Sequence, residues 1–172
     1  MASQPPNPSK LPEENKRILI TEFSESDASE IAELLEIVWP HAKGVPPIWR
    51  QKRCLTSSQV VEEMRAGYHY FGSRIDGRIV GFYKLFKTPE GLLGEHQTVH
   101  PDYRHRGLVR AMYRQFIDYA KEQGAPANLC NILVSEKNMC RLVESYGFQP
   151  YGAPYEQAPG MVVQLYRRLT KQ

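Results

Sequence analysis

The chain has 172 residues, 41% hydrophobic and 24% charged, which suits one globular domain with a single core. Its net charge of +3 comes from scattered lysines and arginines, so a concentrated nucleic-acid footprint is excluded. No apolar run approaches the ~20 residues that a bilayer span requires, and the N-terminus lacks the apolar core of a secretory signal. Cys54, Cys130 and Cys140 are odd in number and widely spaced, with no Cys-x-x-Cys pair. That argues against a disulfide framework or zinc cluster and makes a reducing, cytoplasmic compartment the expectation.

Residues 1–16 carry Pro5, Pro6, Pro8 and Pro12 among polar neighbours and read as a disordered tail, leaving residues 17–170 as the domain. Residues 17–23 are rich in isoleucine and predict a first strand. Ser24 to Asp27 offer capping chemistry before Ile31, Leu34, Leu35 and Val38, which are apolar at helical spacing. Gly44, Pro46 and Pro47 break the pattern, so residues 40–55 read as a long loop bearing Arg50, Lys52 and Arg53. Ser57 or Ser58 then caps a helix through Val60, Val61 and Met64. Strands are expected over 68–75 and 78–86, joined by the hairpin signal Asp76-Gly77, and over 92–100, stopped by Pro101. Leu108, Met112 and Phe116 form the apolar stripe of a helix over 107–123, ended by Gly124. A strand over 128–134, a helix over 138–146 closed by Gly147, and strands near 148–151 and 161–168 complete the chain. The sum is an α/β (α+β) domain, a mixed central sheet of about six to seven strands with helices on both faces.

Chemistry concentrates between Glu95 and Gly124. A strand ends at Val99-His100-Pro101, and Arg104-His105-Arg106-Gly107-Leu108-Val109 leads into an amphipathic helix. Unpaired N–H groups and the helix dipole make such a turn an anion site. Gly107 lets a phosphate approach the backbone, and Arg104 and Arg106 add charged donors. Histidines 96, 100 and 105 straddle a strand, a proline and a turn, which is not a metal-ligand spacing.

These residues resemble the GCN5-related N-acetyltransferase (GNAT) superfamily, whose signature Arg/Gln-x-x-Gly-x-Gly/Ala follows a strand ending in valine and proline. A second family element, a strand leading to an asparagine-led helix and a Gly-Phe pair, is matched by Ile132-Leu133-Val134, Asn138 and Gly147-Phe148. The resemblance covers residues 17–168 and implies acetyl-CoA as co-substrate, without a metal. The diphosphate would lie on Arg104, His105, Arg106, Gly107, Leu108, Val109 and Arg110. The pantetheine would run along Gln97, Thr98 and Val99, with Asn138 touching it or ordering its helix. The implied partners are an acyl-CoA and a small-molecule or peptide amine, with no nucleic acid and no membrane; a homodimer is compatible with the family. Residues 40–53 and 151–157 fall where the family builds its acceptor pocket.

Aminolysis of a thioester needs a neutral amine, hence a base. Glu95 is the candidate, since strict alternation would set Glu95, Gln97 and Val99 on one strand face and His96 on the other. The competing account of Glu95 is a cross-sheet pair with Lys84 or an arginine. Two positions depart from the family pattern. Val109 replaces glycine or alanine in the signature, and Val143 stands where many members carry a tyrosine acid, with Tyr146 expected to pack inward. The primary reading is N-acetyl transfer to an unidentified primary amine in a ternary complex. The alternative is an acyl-CoA-binding regulatory module with little catalysis.

Overall fold

The computed structural model describes residues 18–171. The expected N-terminal tail, with Arg17, lies outside the described residues. One eight-stranded sheet runs in the order β1-β2-β3-β4-β5-β8-β6, with β7 paired to β8. Its strands are β1 (Thr21–Glu22), β2 (His69–Ile75), β3 (Arg78–Thr88), β4 (Gly91–Val99), β5 (Ala127–Leu133), β6 (Gln149–Pro150), β7 (Tyr155–Ala158) and β8 (Met161–Leu169). Every pairing is antiparallel except β4 with β5. A parallel neighbour needs a crossover, and α4 (Leu108–Glu122) supplies it.

The helices cover both faces. On one face α1 (Ala28–Val38) and α3 (Ser57–Arg65) bury Ile31, Leu34, Leu35 and Val60 against Tyr70, Ile79 and Phe82. On the other, α4 and α5 (Lys137–Ser145) bury Leu108, Met112, Phe116 and Val143 against Tyr83, Leu85 and Phe148. Gly94 lets α4 lie close to the sheet, because a Cβ there would stand 2.9 Å from the Phe116 ring. Asn128, wholly buried, donates to the Phe116 carbonyl at 2.8 Å and ties β5 to the middle of α4.

The structure differs from the sequence expectations at several places. The first strand shrinks to Thr21–Glu22. The long loop contains a helix, α2 (Pro47–Arg53), with Pro47 in its first turn and Arg50, Lys52 and Arg53 in its last, where cations suit the helix dipole. The cap of α3 is Thr56, in a reciprocal box with Gln59, rather than Ser57 or Ser58. The short β7 adds a hairpin onto β8 that the polar segment Tyr155–Ala158 did not announce.

Candidate active site

The pairing of β4 with β5 stops at Gly94 and Cys130. Beyond it the two strands part, and a cleft of about 900 Å³, open mouth included, lies between them. Its walls include Glu95, His96 and Gln97 from β4, Asn131 and Ile132 from β5, Tyr113 from α4, and Trp39 and Arg53 from the α1–α2 side.

A β-bulge shapes the β4 wall. Phe82 pairs with Thr98 and Lys84 with Glu95, so His96 and Gln97 together oppose Tyr83. His96 takes a left-handed backbone at φ 59°. One extra residue reverses the alternation beyond it, and the expectation that Glu95, Gln97 and Val99 share a face fails. Glu95 reaches Lys84 on the α1–α3 face, whereas Val99 packs with the α4–α5 core. Nor does His96 lie on the opposite face from Glu95. Its ring lies against Trp39 and Phe82, centroids 5.6 and 6.3 Å away, on the same side as Glu95. The Thr98 hydroxyl donates to the His96 carbonyl at 3.0 Å and accepts the Trp39 indole N–H at 3.0 Å, so the bulge is held from inside the fold. Burial, with the charges of Arg53 and Lys84 nearby, drives the His96 pKa well below the usual histidine value and keeps the ring neutral.

Glu95 does pair across the sheet with Lys84, at 3.7 Å. The buried Lys84 ammonium is held more tightly by Glu63 of α3, at 2.7 Å to each oxygen, and Glu63 also accepts the Tyr70 hydroxyl. Glu95 is therefore the looser partner, and its side chain, about a third exposed, lines the cleft.

At the far end of β4 lies the turn expected to bind the diphosphate. His105 and Gly107 are left-handed, at φ 60° and 86°. Among the described residues, none of the main-chain N–H groups from His105 to Arg110 has a main-chain acceptor; the first helical bond is Ala111 N–H to the Gly107 carbonyl, 3.0 Å. Arg104, His105, Arg106 and Arg110 are exposed, with the Arg106 guanidinium 4.9 Å over the Tyr103 ring. Leu108 is buried, and Val109 is half-buried against the α4–α5 core. Asn138, the second residue of α5, is exposed, and the cap position is Glu136. The chain's own groups thus leave a bare row of donors, flanked by cations and joined to the open edge of β4, which fits a CoA diphosphate and its arm.

Tyr146 stacks on Tyr113 and turns its hydroxyl toward the Arg110 carbonyl, 3.5 Å away, so it packs as expected rather than entering the cleft. Val143 is fully buried. Two further side chains reach the cleft. Tyr113 sits beside the core stripe Leu108–Met112–Phe116, and burial keeps its phenol protonated. Arg53, expected on a loop, is carried into the cleft by the last turn of α2 and by packing against Trp39 and Trp49. Among the described residues no cluster of three or more His, Cys, Asp or Glu is placed to hold a metal, and no helix is long and apolar enough to cross a membrane.

A family model described as the acetyltransferase (GNAT) family matches residues 28–148. The chain belongs to that family. Solved structures with the GNAT fold superpose over nearly the whole chain. The Escherichia coli ribosomal-protein-S18-alanine N-acetyltransferase aligns at TM-score 0.71 and 16% identity, covering 90% of this chain and 94% of that one. The putative acetyltransferase YncA of Salmonella typhimurium, solved with its cofactor acetyl-CoA, aligns at 0.72 and 17%, covering 90% and 95%. The PaiA N-acetyltransferase of Thermoplasma acidophilum, in complex with coenzyme A, gives 0.70 and 12% over 88% and 99%. At such identities the likeness carries the fold. No curated protein sequence matches significantly.

Proposed function

We propose that this GNAT protein, over residues 17–170, is an N-acetyltransferase that moves the acetyl group of acetyl-CoA onto a primary amine within a ternary complex. The observation that carries the reading is the opening of β4 from β5 beyond Gly94 and Cys130, with Glu95 in its wall and the unpaired donor row of residues 105–110 at its end. Two GNAT structures described as holding acetyl-CoA or CoA support the choice of donor.

Acetyl-CoA supplies a thioester as the activated acyl group. In our reading the N–H groups of residues 105–110 and the guanidinium groups of Arg104 and Arg106 bind its diphosphate, while the β4 main chain at Gln97, Thr98 and Val99 aligns its arm and Asn138 borders it. A β4 N–H near Gln97, beside the bulge, polarises the carbonyl. Glu95, directly or through one water, accepts a proton from the ammonium so that the neutral amine attacks. CoA leaves as the thiolate, with no assigned acid, and takes up the proton that the new amide nitrogen gives up; a thiol pKa near ~8.5 tolerates this. Direct transfer is favoured over an acyl-cysteine route because burial pushes the Cys130 thiol up to about 12, which leaves almost no thiolate at neutral pH.

Val143 in place of the usual tyrosine favours a second reading, a regulatory module that binds acyl-CoA and turns over little. Thiol release from acetyl-CoA across a panel of amines separates the two. Amine-dependent release that drops about 10²-fold in Glu95→Gln, with acetyl-CoA affinity unchanged, is the expected result. Binding without amine-dependent release supports the module, and full activity in Glu95→Gln removes the base.

A further inference from the structure

Helix α2 delivers three cations to its last turn, and they go different ways. Arg50 donates to the Pro40 carbonyl at 3.1 Å, and Lys52 is exposed. Arg53 turns inward and becomes part of the cleft wall. Its guanidinium carbon lies 4.8 Å from the Trp39 ring centre and 5.4 Å from that of Trp49, a cation–π arrangement that fixes it in place. Among the described residues no carboxylate or carbonyl accepts from that guanidinium.

We propose that the acceptor amine also carries a carboxylate, and that Arg53 receives it. The inference rests on the acyl-transfer reading and narrows its substrate class. Among the residues lining the cleft, Arg53 is the cation and Glu95 the carboxylate, one charge of each sign. His96, held neutral, does not compete for an anion. A zwitterion fits this pair, its ammonium toward Glu95 and its carboxylate toward Arg53. Burial depresses the Arg53 pKa, with Glu95 opposing the shift, so the half-buried guanidinium has lost part of its hydration. A planar carboxylate replaces it with two parallel N–H···O bonds. A phosphate monoester, near −1.5 to −2 in charge, would need more cations than this wall offers.

The test is thiol release by the full chain at saturating acetyl-CoA, with α-, β- and γ-amino acids each run against its carboxamide. Loss of a hydrogen bond to a charged group predicts kcat/KM about 10- to 100-fold higher for the best acid than for its amide. Arg53→Gln should erase that preference while leaving acetyl-CoA affinity, read by calorimetry, as it was. Arg53→Lys, which keeps the charge and loses the fork, should retain part of it and guards against a folding defect. Equal rates for acid and amide, or a preference that survives Arg53→Gln, overturn the proposal. If acetyl-CoA binds and no amine is turned over, acyl transfer fails separately. Calorimetry of the same acids on the CoA-loaded protein then decides the site, because Arg53-dependent binding sustains it and no binding overturns it.

Discussion

Glu95 stands 3.7 Å from the Lys84 ammonium, a nitrogen that both oxygens of Glu63 already hold at 2.7 Å. The two carboxylates divide one buried cation unequally. Glu63 holds Lys84 as part of the fold, and Glu95 borrows its field while remaining in the cleft.

Removing the shared cation should therefore be felt more in stability than in chemistry. Lys84→Met leaves Glu63 with the Tyr70 hydroxyl and no counter-charge, and is expected to cost about 2–3 kcal/mol in urea unfolding. Its acetyl-transfer rate at 25 °C should fall less than that of Glu95→Gln. A larger rate loss in Lys84→Met would make the lysine, rather than Glu95, the central group.

His96 predicts a pH dependence of stability. Its folded pKa lies well below the ordinary histidine value of 6.5, so below that pH the unfolded chain binds the extra proton. Stability contributed by the neutral ring is present above pH 6.5 and is lost as pH falls, at up to about 1.4 kcal/mol per pH unit. His96→Asn, which tolerates the left-handed backbone, should flatten the slope of unfolding free energy between pH 6.5 and 5.

Gly107→Ala tests the donor row. A Cβ there would meet nothing nearer than Ile18 Cδ1 at 3.7 Å, so space is not the obstacle. The φ of 86° is the obstacle, since a side chain there costs about 1 kcal/mol or drives the turn into another conformation. Acetyl-CoA affinity should fall about tenfold by calorimetry, while thermal stability of the free protein drops only slightly.

Cys130→Ala distinguishes direct from covalent transfer. With its thiol pushed up to about 12, Cys130 should be dispensable for chemistry. The variant is expected to keep kcat within about threefold of wild type, with intersecting rather than parallel initial-rate lines. Parallel lines in the wild type, lost along with activity in the variant, would point to an acyl-cysteine.

Much of this was legible beforehand because the signals were local. Asp76-Gly77 specified a hairpin, the stripe from Leu108 to Phe116 a helix, and Arg104 to Val109 the glycine-containing turn that leads into it. The errors came where distant contacts decide. The face assignment along β4 failed at His96, because the bulge is held by Thr98 and Trp39, far apart in sequence. The inward turn of Arg53 depends on packing between Trp39 and Trp49, which no local spacing encodes. Likewise β7 forms on a polar, largely exposed segment because β8 offers it an edge.

The limited contact between β4 and β5 also has a mechanical side. Three rungs, Leu92–Asn128, Leu93–Leu129 and Gly94–Cys130, stitch the halves of the sheet together. A molecule sliding in beyond the last rung would serve as the missing stitches. Filling the gap and stiffening the domain would then be one event, visible as slowed amide exchange along both strands that flank it.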